Sequence, residues 1–194
     1  MDNLTGINYS GYEHDRIQGR HGIMGSWGLV LPYLKGKVTL DIGCSDGLYL
    51  QYLSAGSVGI EQSEKLVNLA RRKGLNVIHD EALSALQRQH DAAYEAVLFS
   101  HVMEHLDRPL DALREIHRVL IPGGTLVLGL PTEKNIFRSI FRFDYFDGTH
   151  IYSFTVRNAL KLLDMTRFMP EKVFYHLPKL SESVWTVKAS LLFT

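Results

Sequence analysis

Residues 38–47, Val38-Thr39-Leu40-Asp41-Ile42-Gly43-Cys44-Ser45-Asp46-Gly47, decide the fold. VTLDIG (38–43) is a short, mainly apolar run of the buried-strand type, with Asp41 as its one charged residue. Gly43 and Gly47 then mark a tight turn, and LYLQYL (48–53) follows with the spacing of a helix start. Strand, glycine turn and helix together form the opening unit of an open α/β sheet.

The unit repeats downstream. SVGIE (57–61) reads as a second strand. SEKLVNLARRKG (63–74) reads as an amphipathic helix that Ser63 starts and Gly74 ends. NVIHD (76–80) is a third strand, ALSALQRQH (82–90) is helical, and AAYEAVLFS (92–100) contains a fourth strand. LDRPLDALREIHRVL (106–120) carries apolar residues at 110, 113, 116, 119 and 120, a helical stripe that PGG stops before a fifth strand, TLVLGLP (125–131). Alternation with short connections predicts βαβ units and a parallel sheet with helices on both faces. Upstream, residues 1–20 read as a polar arm or lid, and 21–35 as a helix that Pro32 breaks late. Beyond residue 150, SFTVRNALKLLDM (153–165) predicts one more helix. MPEKVFYHL and SVWTVKASLLF read as strands joined by the turn PKLSE, an antiparallel hairpin closing the sheet edge. The expectation is an α/β, Rossmann-like, doubly wound and mostly parallel seven-stranded sheet ending in that hairpin.

Composition narrows the partners. Lys+Arg and Asp+Glu are 21 each in 194 residues, so no bulk charge draws the chain to nucleic acid or an anionic membrane. The single cysteine, Cys44, excludes an intramolecular disulfide and a Cys-rich zinc module, and suits a cytoplasmic location. No apolar h-region opens the chain, and no run reaches the ~18 residues of a membrane span.

In a doubly wound sheet the ligand sits at the carboxyl ends of the strands. The first end, LDIGCSDG, fails the dinucleotide fingerprint: from Gly43, the third and sixth places hold Ser45 and Leu48. Asp41 and Asp46 in the turn would repel a pyrophosphate and suit a positive charge. The second strand ends in Glu61, placed to accept both hydroxyls of a ribose, with Gln62 beside it. The third ends in Asp80-Glu81-Ala82, where an acid can accept from an adenine amino group. Taken singly, each acid is as readily a solvated loop residue or a helix cap. Together they suit a nucleoside with a cationic tail and no phosphate.

The run LDIGCSDG…GIEQS…HDEAL…FSHVMEHLDRPLDALREIHRVLIPGGTLVLGLP closely resembles the class I S-adenosylmethionine-dependent methyltransferases. It is most similar to their small-molecule branch, with its Glu-His-Leu and Pro-Gly-Gly block (Glu104, His105, Pro109, Glu115, Arg118, Leu120, Pro122, Gly123, Gly124). The resemblance covers residues 38–131, and 150–165 more loosely. It implies that Asp41, Gly43, Cys44, Ser45 and Gly47 surround the methionine part of S-adenosylmethionine. It places Glu61 and Gln62 at the ribose, Asp80, Glu81 and Ala82 at the adenine, and Ser100 and His101 at the methionine end. Ser45 stands where the family usually has Gly, a change tolerated if its φ is negative.

Within FSHVMEHL (99–106) lies H-x-x-E-H, a metalloprotease signature. That signature belongs on a groove helix with a further carboxylate ligand, whereas here it follows a strand. The resemblance gives the Glu-His pair a structural, cofactor-side place, and no metal is expected. Its weaker implication, from members of the branch that carry Glu-x-x-Glu-His and hold a divalent cation there, is a cation at His101, Glu104 and His105, with imidazoles favouring Zn²⁺ over Mg²⁺. Methyl transfer to oxygen or nitrogen needs a base, and His150 and His101 are the candidates. The resemblance divides the chain, read as one domain, into an arm and helix (1–35), a cofactor-binding core (36–131), a substrate lid (132–152) and a C-terminal helix and hairpin (153–194). In the lid, Phe137/Phe141 and Arg138/Arg142 form i, i+4 pairs. They read as core packing, as a lid over substrate, or as a peripheral membrane contact through 136–143. Tyr9, Tyr12 and Arg16 are placed to close over the cofactor. The expected function is methyl transfer to a small-molecule acceptor, with no nucleic-acid partner; the alternative is a non-catalytic S-adenosylmethionine-binding protein or partner subunit.

Overall fold

The computed structural model describes residues 6–20, 22–23, 26–132, 150–176 and 187–193. The five alternating strands form where the apolar runs place them: β1 (Thr39–Ile42), β2 (Val58–Glu61), β3 (Val77–His79), β4 (Tyr94–Ser100) and β5 (Leu120–Thr132). β1 pairs in parallel with β2 and β4, β3 extends the sheet beyond β2, and β5 extends it beyond β4. Two later strands, β6 (Pro170–His176) and β7 (Val187–Phe193), pair antiparallel with each other, and β7 pairs antiparallel with β5. The order across the sheet is β3-β2-β1-β4-β5-β7-β6. The PKLSE turn lies outside the described residues, as do Phe137, Arg138, Phe141, Arg142 and nearly all of the 132–152 segment.

Six helices are described: α1 (Gly6–Ile17), α2 (Trp27–Leu34), α3 (Glu64–Arg72), α4 (Ala82–Gln87), α5 (Pro109–Val119) and α6 (Val156–Met165). Local chemistry sets several of their starts. The Ser63 hydroxyl accepts from the Leu66 amide at 3.4 Å, the Thr155 hydroxyl accepts from that of Asn158 at 3.2 Å, and α5 opens on proline. Both faces of the sheet are covered. On one, α4, α5 and α6 bury Leu113, Ile116 and Leu163 against Leu40, Ile42, Ile60, Val97, Phe99 and Leu126. On the other, Trp27, Val30 and Leu34 of α2 meet Ala96, Leu98 and Val127. Consecutive residues of β4 thus face opposite layers and are all buried, which is why AVLF reads as a continuous apolar run. Val97, Leu98 and Phe99 each contribute about 1.5–3 kcal/mol of hydrophobic stabilisation.

Three expectations change. LYLQYL forms only a 3-10 turn, Leu50–Tyr52, because Leu50 turns into the core while Tyr52 stays half exposed. Residues 6–17 of the polar arm are helical. PGG does not precede β5 but lies within it, absorbed where the pairing with β4 jumps from Tyr94↔Leu120 to Ala96↔Thr125. β1 sits where the strand order reverses, so the carboxyl ends of β1 and β4 flank a crevice.

Candidate functional site

The turn after β1 needs glycine for two reasons. Gly43 and Gly47 take φ of +73° and +77°, and a Cβ at either would lie 2.4 Å from Val102 Cγ2 or 2.2 Å from Leu75 Cδ1. The amides of Gly43 and Cys44 donate to the Ile60 carbonyl at 2.8 and 3.0 Å, pulling the turn across the end of β2. Ser45 also takes a positive φ, +56°. The negative φ expected to excuse this departure from glycine is absent, and the left-handed conformation costs a non-glycine residue about 1–2 kcal/mol. Its amide is anchored in return, donating to Glu61 Oε2 at 3.0 Å. Cys44 turns its thiol into the core beside Leu50, Val67, Ala70 and Val77, so only its backbone can reach a ligand. Burial, reinforced by Asp41 and Glu61, pushes the thiol pKa far up.

Acids gather above this turn. Glu61 is buried, and its other oxygen accepts from the Ser63 amide at 2.8 Å. Asp41 is buried too, and its Oδ2 has no hydrogen-bond partner among the described residues. Burial pushes its pKa up to about 7, with the nearby Glu61 adding to the shift and Arg16 opposing it. Burial also pulls Asp46 upward, but its hydrogen bond to Lys73 (2.5 Å) and the Arg16 charge outweigh this and hold it below the usual range.

Arg16 comes from α1, which lies over the ends of β1 and β2. Its buried guanidinium pairs with Asp46, while Glu13 bonds the Ser63 hydroxyl and Lys65 Nζ, the latter at 3.0 Å. Tyr12 lies beside Arg16, 6.0 Å from ring centre to guanidinium carbon. Tyr12 and Arg16 thus lie beside the turn that follows β1. Glu13 was not singled out, and no local pattern marks it, because its partners are 50 and 52 residues away.

At the third strand end, the Asp80 amide donates to the Glu61 carbonyl at 3.1 Å, joining the two neighbouring ends. The Asp80 carboxylate pairs with Arg88 and accepts from the Glu81 amide at 2.8 Å. Glu81 is exposed and caps α4, accepting from the Ser84 amide at 2.9 Å, with Ala82 opening the helix. Gln62 is exposed, its carbonyl 3.1 Å from His79 Nε2.

The end of β4 supplies the opposite wall. Ser100 Oγ packs against Gly129, where a Cβ would come within 2.3 Å of it. His101 takes a φ of +58°, its amide donates to the Gly129 carbonyl at 2.9 Å, and its Nδ1 lies 3.4 Å from Glu104 Oε1. Met103–His105 is a 3-10 turn, so H-x-x-E-H is not on the helix its protease reading requires. Ile151 and Tyr152 donate their amides to the Glu104 carbonyl at 2.9 and 3.1 Å, which brings His150 against His105 with ring centroids 4.7 Å apart. Both candidate bases, His101 and His150, thus converge on the Glu104 turn. A groove of about 570 Å³ opens beside it between the starts of α5 and α6, lined in part by Arg108, Leu110, Tyr152, Phe154 and Lys161.

Residues 40–128 match the family described as a methyltransferase domain. The core of this chain, β1 through most of β5, thus matches a methyltransferase domain. It is 33% identical over 119 residues to the tRNA U34 carboxymethyltransferase of Haemophilus influenzae, covering 53% of this chain and 36% of that protein. It is 32% identical over 111 residues to the human probable tRNA methyltransferase 9B, covering 53% and 24%. The chain thus spans about a quarter to a third of the length of these curated relatives. A Thermotoga maritima structure described as an S-adenosylmethionine-dependent methyltransferase, possible histamine N-methyltransferase, shares the fold. Its TM-score is 0.76 at 20% identity, covering 96% of each chain. Family and fold imply S-adenosylmethionine as cofactor of the methyltransferase domain. The site fits it: the unpartnered Asp41 oxygen, buried beside Glu61, suits a cationic group better than a phosphate. Among the described residues, no helix is long and apolar enough to cross a membrane.

Proposed function

We propose that this chain transfers the methyl group of S-adenosylmethionine to a small-molecule acceptor by in-line displacement. The observation that carries the reading is the pair of buried acids, Asp41 and Glu61, closed over a glycine turn at the topological switch point. In this reading Asp41, Gly43, Ser45, Gly47 and the Cys44 backbone hold the methionine part. Glu61 and Gln62 hold the ribose, Asp80 with Glu81 and Ala82 the adenine edge, and Ser100 and His101 line the methyl-bearing end. The cofactor supplies an electrophilic methyl, so the protein's tasks are orientation and exclusion of water. His101 or His150 takes the proton of an acceptor hydroxyl or amine, which enters from the groove beside Tyr152. The arm (1–35), core (36–131), lid (132–152) and C-terminal part (153–194) act as one domain, with β6 and β7 as arms of one hairpin.

A second reading makes RNA the acceptor, and the names of the tRNA-modifying relatives favour it. The equal numbers of basic and acidic residues favour the first. A third, a cofactor-binding protein without turnover, draws on the strained Ser45. The test has two stages. Calorimetric titration with S-adenosylmethionine, S-adenosylhomocysteine and NAD should show selective binding of the two sulfur nucleosides. Protein and radiolabelled S-adenosylmethionine are then incubated with a metabolite extract or with total tRNA. Label in small molecules is the expected result, and label in tRNA would shift the assignment to RNA. Binding without transfer to either would support the non-catalytic reading, and no binding would end all three.

A further inference from the structure

Glu104 is fully buried, yet neither carboxylate oxygen accepts a hydrogen bond from the protein among the described residues. An unsatisfied buried carboxylate is costly unless a cation completes it. Three imidazoles stand near it: His101 Nδ1 lies 3.4 Å from Oε1, outside hydrogen-bond geometry, and ligand atoms of Glu104, His105 and His150 all lie within 4.8 Å of one another. Backbone bonds hold the three together. The Glu104 carbonyl accepts from the amides of Ile151 and Tyr152, and the His105 amide donates to the Val102 carbonyl at 2.9 Å. The carboxylate forms the floor, while the His105 and His150 imidazoles are half-buried toward solvent. An entering ion meets the nitrogen donors first and the carboxylate last.

We infer that Glu104, His105 and His150 form a binding site for a divalent cation of the zinc class. Two imidazoles and one carboxylate select a borderline ion over magnesium, which prefers an all-oxygen shell. Three protein ligands leave a fourth position for water or for a hydroxyl or thiol of the acceptor. The donors come from two segments 46 residues apart, so H-x-x-E-H contributes only its last two residues and His150 replaces its first histidine.

The test is calorimetric titration of tag-free, chelator-stripped full-length protein with Zn²⁺ alone. The parent should take up one equivalent with a micromolar or tighter Kd. His150→Ala and Glu104→Gln should each weaken it at least tenfold, and His90→Ala, in an exposed loop, should leave it within twofold. If Glu104→Gln does not fold, as judged by circular dichroism, half-buried His150→Ala decides the matter alone. No saturable uptake by the parent, or uptake that His150→Ala leaves unchanged, overturns the site. The titration uses no nucleoside, so a protein that binds zinc but not S-adenosylhomocysteine keeps this inference and loses the methyltransferase one.

Discussion

Ser45 has a left-handed φ because its amide is pulled to Glu61 between two turn glycines, and nothing in the local sequence demands that conformation. Ser45→Gly removes the Cβ conflict and should raise Tm by about 2–4 °C. A fall in scanning calorimetry would mean that the serine hydroxyl matters more than the backbone. Asp41 makes a prediction with a defined sign. Its folded pKa is about 7 against an ordinary 3.8, so between those values the folded state holds a proton that the unfolded state has lost. Its contribution is complete below about pH 4 and drains away as pH climbs toward 7. Asp41→Asn should flatten that slope and be the more stable protein at pH 8, read as urea midpoints across pH. A cation beside Asp41 acts the other way and favours the ionised form. S-adenosylmethionine affinity should therefore rise with pH between 5 and 7, by up to about tenfold per unit, and should not do so in Asp41→Asn.

Among the elements, α1 is held to the sheet ends by polar side chains: Arg16 to Asp46, and Glu13 to Ser63 and Lys65. Its exposed link, Lys65 to Glu13, contributes little, as surface pairs do. The buried Arg16–Asp46 pair is the anchor, with Lys73 sharing the carboxylate. Arg16→Ala should leave Asp46 partly neutralised by Lys73. The loss would then be local: amides of 6–17 would exchange much faster while those of β1 and β4 stay protected, as read by hydrogen-exchange mass spectrometry. Equal acceleration in β4 would show that the arm is part of the cooperative core. The arm's helix and seat were not legible in the sequence, because GINYSGYEHDRI has no marked apolar stripe and its partners lie far away in the chain. α3 and α5 were legible, because Ser63, Gly74, Pro109 and the apolar stripes at 66, 67, 70 and 113, 116, 119 are local signals. LYLQYL misled because an apolar pattern six residues long does not say which positions turn inward.

Across the whole molecule, the sheet order follows from the alternation of strands and helices, and so does the gathering of acids at one edge. Asp41, Glu61 and Asp80 lie at or next to the carboxyl ends of parallel strands, and parallel neighbours necessarily bring those ends together. The meeting of His150 with Glu104 rests on a backbone carbonyl that any residue at 104 would offer, so no residue type announces it.

The packing of Cys44 has a practical consequence. Its sulfur lies where a Cβ on Gly59 would fall 2.4 Å away, wedged between β1, β2 and α3. No disulfide reagent can approach it without parting the sheet from that helix. With no second thiol in the chain, the rate of its modification is a clock for the opening of the half that carries the glycine turn. Run with and without S-adenosylhomocysteine, that clock reports how firmly an occupant clamps the fold, with no label added.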